Sequence, residues 1–162
     1  MQGGLLSYGL LGALAIALLI AAVTDIRRRE IDNWLNGAIA LGAPLFWFSS
    51  GFSWLDVGIQ IAIAALVLIV LVAVFASGAM GGGDVKLLTA LARWFHPMWF
   101  LKLLIVMSVL GGLLTLVLFV RHKLRKREGR LAVPYGVAIS LAGLWMLGSQ
   151  HVWPSPGGGI LG

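Results

Sequence analysis

The sequence has no cysteine. That excludes disulfides, thiol catalysis and cysteine-ligated zinc. Charge is equally scarce. Only 11% of the 162 residues are Asp, Glu, Lys or Arg, where a soluble domain carries about 25%. No His-Glu-x-x-His or Gly-x-Ser-x-Gly string occurs, and His96, His122 and His151 are scattered. Those gaps remove zinc-metalloprotease and nucleophile-elbow serine chemistry. The glycine run before Lys86 lacks the Gly-Lys-Ser/Thr ending of a phosphate loop. No internal repeat and no low-complexity domain is visible.

Apolar sequence dominates: 60% of residues are hydrophobic. The reading is an all-α, polytopic membrane helix bundle forming a single domain over residues 1–162, with the lipid bilayer as its surroundings. A spanning helix needs about 20 apolar residues. Spans are expected near Leu5–Thr24, Leu35–Ser50, Val57–Gly78, Val85–Trp94, Leu101–Val120 and Leu131–Gly148. The first has no basic leader and is stopped by Arg27-Arg28-Arg29, so it reads as a retained anchor and not a cleaved signal. The tail after Ser149 reads as a loose end.

Val85–Trp94 is the short segment, and charge parity decides it. All but Arg93 and Lys102 of the 12 Lys and Arg residues lie in Arg27–Arg29, at Lys86, or between Arg121 and Arg130. Basic loops stay cytoplasmic. They share one side only if Val85–Trp94 crosses. About six spans follow, with both termini outside the cytoplasm. The net charge of +6 therefore reads as topology and not as nucleic-acid binding. Trp47, Trp54, Trp94, Trp99 and Trp153 read as an aromatic belt, mostly at the outer interface. Gly111 and Gly112 read as close-approach positions between helices.

Two acids stand out against this background. Asp25 closes the first run and Asp84 opens the fourth, after Gly81-Gly82-Gly83. Charge at a bilayer edge is costly and usually functional. By topology both acids fall at the cytoplasmic face. Each also has a plainer reading: Asp84 as a helix N-cap, Asp25 as the partner of Arg28 or Arg29 at helical spacing. Together, two close carboxylates hold one proton between them, giving a base and an acid for an activated water. Lys86 is either an interfacial anchor or a group that neutralises an aspartate or holds substrate. It does not share Asp84's helix face, so a direct pair needs irregular backbone. The rival reading is a transporter or assembly subunit using the acids as a proton or cation relay.

These residues resemble the type IV prepilin peptidases, membrane aspartic proteases with a Gly-x-Gly-Asp motif. The motif is matched by Gly81-Gly82-Gly83-Asp84 and the following Val85-Lys86-Leu87-Leu88. The first family aspartate is matched by Asp25, with Ile31-Asp32-Asn33 after it. A late Pro-aromatic-Gly element is matched by Val133-Pro134-Tyr135-Gly136. The resemblance implies catalytic Asp25 and Asp84, supported by Gly81, Gly83, Lys86, Asn33, Pro134, Tyr135 and Gly136. It implies no metal or organic cofactor, a prepilin or pseudopilin substrate, and residence in the inner membrane with a cytoplasmic catalytic face. Asp32 replaces the family's usual proline, which predicts a looser loop and an acid able to perturb Asp25. The chain is similar to the short Tad/Flp-type or archaeal preflagellin form, without the cysteine-bearing portion linked to N-methylation. Cleavage without methyl transfer is expected.

Overall fold

Six helices follow the apolar runs: α1 (Leu5–Arg28), α2 (Asn33–Ser49), α3 (Trp54–Ala76), α4 (Gly82–Leu91), α5 (Pro97–Leu124) and α6 (Tyr135–Val152). The computed structural model describes residues 4–124 and 133–152, the last three as backbone only. Most of the basic loop after Leu124, with Arg127 and Arg130, and the tail with Trp153 lie outside the described residues. No strand occurs among them.

The helix ends have local causes. Ser50-Gly51 turns the chain after α2, with Gly51 at φ +71°, a conformation glycine adopts without a Cβ clash. Ser53 then caps α3. Its hydroxyl accepts the Asp56 N–H at 3.2 Å, and the Asp56 carboxylate accepts the Ser53 N–H at 3.0 Å, a reciprocal capping box. Asp56 therefore starts α3 as well as ending the uncharged run before it.

The helices form two trios. α4 packs between α2 and α3, and α6 between α1 and α5. Contacts of α4 with α6 and of α1 with α2 join the trios. The inner faces carry the core, including Leu18, Leu35, Leu87, Leu88, Leu91, Leu103 and Ile139. The outer faces of α1, α3 and α5 expose Ile16, Leu66, Ile69, Ile105 and Leu113. Such an apolar exterior is what lipid solvates, and the chain is a membrane protein. α1, α3 and α5 are long and apolar enough to cross by themselves.

α4 is not. Ten residues rise about 15 Å, half of the roughly 30 Å hydrocarbon core. With the turn that follows it, the segment nonetheless runs along most of its neighbour. Gly82 lies beside Phe75 near one end of α3. The turn after α4 reaches Gln60 near the other, whose Nε2 donates to the Phe95 carbonyl at 3.2 Å. A short helix ends among packed helices only if its carbonyls find donors there. Trp47 Nε1 donates to the Arg93 carbonyl at 2.8 Å. In return Trp94 Nε1 donates to the Ile39 carbonyl of α2 at 2.8 Å.

This corrects the aromatic belt. Trp47 and Trp94 are buried in the bundle and bind backbone across the α2–α4 junction, Trp47 at the turn after α4 and Trp94 on α2. Trp54 is exposed. Trp99 is partly buried against the core, with Lys102 Nζ 4.2 Å from its ring centroid. Pro44 lies inside α2 and has no N–H for the carbonyl four residues earlier. That carbonyl, Ala40, faces Arg93 Nη1 at 3.5 Å.

Candidate active site

Asp25 reaches the bundle interior by helical register. Leu14, Leu18, Ala21 and Asp25 form the buried stripe of α1, at the spacing of one helix face. Asp25 is 5% exposed. Its Oδ2 accepts the Val137 N–H at 3.1 Å, and the Gly136 amide also acts on it. Both amides belong to the first turn of α6, whose unpaired N–H groups and dipole attract an anion. Asp25 therefore fastens the end of α1 to the start of α6. Of the two basic neighbours considered for it, Arg29 is the one whose charge acts on Asp25.

The Pro134-Tyr135-Gly136 element builds that receptor. Pro134 is buried and ends the loop before α6. The Tyr135 ring packs on Gly111 of α5, where a Cβ would lie 2.9 Å from Cε1. At Gly136 an added Cβ would lie 2.7 Å from Ile31 Cδ1 and 2.8 Å from Asp25 Oδ2. Only hydrogen fits at that position. Of the two glycines read as close-approach sites, Gly111 serves so, while Gly112 has nothing within 4 Å of a Cβ.

Asp84 arrives on α4. Its place corrects the N-cap expectation: Gly81 is the N-cap, and Asp84 sits three residues on, in the first turn. From there its carboxylate turns back toward Gly81, whose amide acts on it, as an acid at this position does in a capping box. Asp84 shares a face with Leu88 and Leu91. Leu91 reaches Gly143 of α6 and comes close to it alongside Leu18, so this face looks into the trio junction. Asp84 is half-buried, and the Asp25 charge acts on it.

Ile31 is the residue the sequence reading left without a role. It is buried and lies between Gly83 and Gly136, a Cβ at Gly83 falling 3.4 Å from Ile31 Cβ. It thus keeps the starts of α4 and α6 together beside Asp25. The signal was present in the Ile31-Asp32-Asn33 string, but nothing in it pointed inward. Val137 was missed because it contributes only its backbone. Asp32 does not enter the site as expected. It is the N-cap of α2 with φ −60°, the angle a proline ring imposes, so the backbone keeps a proline-like turn without proline.

Lys86 and Asn33 point elsewhere. Lys86 Nζ donates to Asn33 Oδ1 at 2.7 Å, on the α4 face away from Asp84. α4 is regular, so no Lys86–Asp84 pair forms along it. Gly81 is exposed beside the Asp84 carboxylate. Among the described residues, no group of three His, Asp or Glu side chains gathers as a metal site.

The site thus places two carboxylates from remote segments at one end of the bundle. Each lies against amides at the start of a helix. A comparison with curated proteins and one with solved structures return no match. The family pattern of the type IV leader peptidases matches residues 12–116, a stretch that holds both aspartates and stops short of the Pro134-Tyr135-Gly136 receptor. The chain belongs to the type IV leader peptidase family.

Proposed function

We propose that this protein is a membrane aspartic endopeptidase that removes the leader of type IV prepilins or pseudopilins at the cytoplasmic membrane face. The observation carrying this reading is the convergence of the two acids on Ile31, which touches Gly83 beside Asp84 and Gly136 against Asp25. Family membership supplies the reaction class. In the proposed mechanism the pair holds one proton. The ionised carboxylate takes a proton from water as that water attacks the scissile carbonyl. The protonated partner polarises the carbonyl and then protonates the departing amine. The proton belongs to the pair and not to a named residue. Amides at Val137 and Gly81 lie against the two carboxylates and fix their positions.

The substrate that suits this site has a basic leader in water and an apolar helix in the bilayer. The relay alternative is less favoured, because a relay places acids in mid-span and these two sit at helix ends.

Co-expression with a candidate prepilin tests the proposal. The shortened pilin is expected with the wild-type chain, and an intact prepilin beside a correctly inserted protein rejects the assignment. Orientation is a separate prediction. Reporter fusions after Arg127 should report cytoplasm, and fusions after Ser53 or Pro97 the opposite side. A fusion after Arg127 that reports the outside would overturn the cytoplasmic face.

A further inference from the structure

The face of α4 opposite Asp84 is also built of polar groups. Lys86, Thr89, Ala90 and Arg93 form the floor of a cleft of about 380 Å3. Asn33, Asn36, Gly37 and Ala40 of α2 make one wall, and Leu68 of α3 the other. Three observations describe what fits. First, the lining carries two cations and, among the described residues, no acid. Lys86 donates one bond, to Asn33, and keeps two of its three donors. Arg93 donates one long bond, to Ala40, from a fork of five donors.

Second, Asn36 is 5% exposed, and neither its Oδ1 nor its Nδ2 has a partner. A buried amide left unpaired is costly. It asks for a ligand with both an acceptor and a donor. Third, Leu68, the apolar wall that α3 gives the cleft, is itself exposed on the outer surface of the bundle. An occupant with an acyl chain continues naturally over that surface.

We propose that the α2–α4 cleft binds the headgroup of an anionic phospholipid. Its phosphate oxygens accept from Lys86, Arg93 and Asn36 Nδ2. A headgroup hydroxyl, as in phosphatidylglycerol, donates to Asn36 Oδ1. Basic pockets between membrane helices recognise lipid headgroups by this chemistry. An acidic side chain on a neighbouring membrane helix fits less well. A carboxylate offers acceptors only, and a helix about 10 Å across does not enter a cleft this size. The proposal does not depend on the peptidase reading, since it uses the other face of α4.

The test uses the full chain purified in a neutral detergent. Thermal unfolding is followed with phosphatidylglycerol, phosphatidylcholine or inorganic phosphate added, and bound lipid is counted by native mass spectrometry. Phosphatidylglycerol should raise Tm and appear as a one-to-one adduct; the other two probes should do neither. Asn36→Leu removes the unpaired amide without changing its bulk much. It should keep or raise the basal Tm yet weaken the adduct by about tenfold or more, the size of a lost charge-assisted bond. Lys86→Met should weaken it likewise. Equal adducts in wild type and Asn36→Leu would overturn the proposal. So would an equal response to phosphatidylcholine. A shift with inorganic phosphate alone would make this a free-anion site, and tighter binding of an acidic transmembrane peptide would make it a protein contact.

Discussion

Asp25→Asn and Asp84→Asn should each lower prepilin processing by at least about a hundredfold, the scale of a lost general acid or base. Both variants should still insert in the membrane. The choice of asparagine matters for Asp25. That carboxylate fastens α1 to α6 through the Val137 amide, and an amide oxygen still accepts this bond. Asp25→Asn therefore keeps the contact and removes the proton chemistry. Asp25→Ala removes both. It should cost about 0.5–2 kcal/mol, as loss of a helix cap does, and lower Tm accordingly. A processing assay beside a thermal melt separates the two roles. If Asp25→Asn melts like wild type and still cleaves, the dyad is rejected. If only Asp25→Ala loses processing, Asp25 is a fastener and not a catalyst. Asp25→Glu asks for accuracy, because one methylene pushes the carboxylate toward Ile31 and Gly136.

Gly136→Ala should be the most damaging single methyl group in the chain. Its Cβ would meet Ile31 Cδ1 at 2.7 Å and Asp25 Oδ2 at 2.8 Å, both well inside contact distance. Relief requires Asp25 to leave the Val137 amide, or α6 to shift from α1. Overpacking of this kind costs about 1–3 kcal/mol. Processing should fall by more than tenfold, because the displaced carboxylate no longer faces its partner. Gly112→Ala is the control: the same methyl group meets nothing within 4 Å. Equal processing by the two alanine variants would show that the tight fit at Gly136 is not needed for the reaction.

The six-helix order and the two aspartates were legible because both leave marks on the sequence. Apolar runs set the helices, and an acid at the edge of such a run is rare enough to be noticed. Asp25 even carries the register of its burial, since Leu14, Leu18 and Ala21 precede it at helical spacing. Charge parity singled out the short α4, and in the structure α4 with the turn after it lies along α3 between Phe75 and Gln60. What sequence could not supply was partnership. Trp47 and Trp94 look like interfacial anchors until each indole is seen to bind a carbonyl in the other's segment. Asp84 looks like an N-cap because Asp favours caps, yet Gly81 holds that place and Asp84 works one turn later. Val137 acts through an amide every residue has. Ile31 matters only because two glycines from distant segments close on it.

Position 44 stands in α2 and position 93 in the turn after α4, yet one supplies what the other consumes. The ring of Pro44 strips Ala40 of its usual donor, and the Arg93 guanidinium takes the vacancy. Neither residue makes much sense in isolation. Among sequences of this lineage the pair should be inherited, or lost, as one.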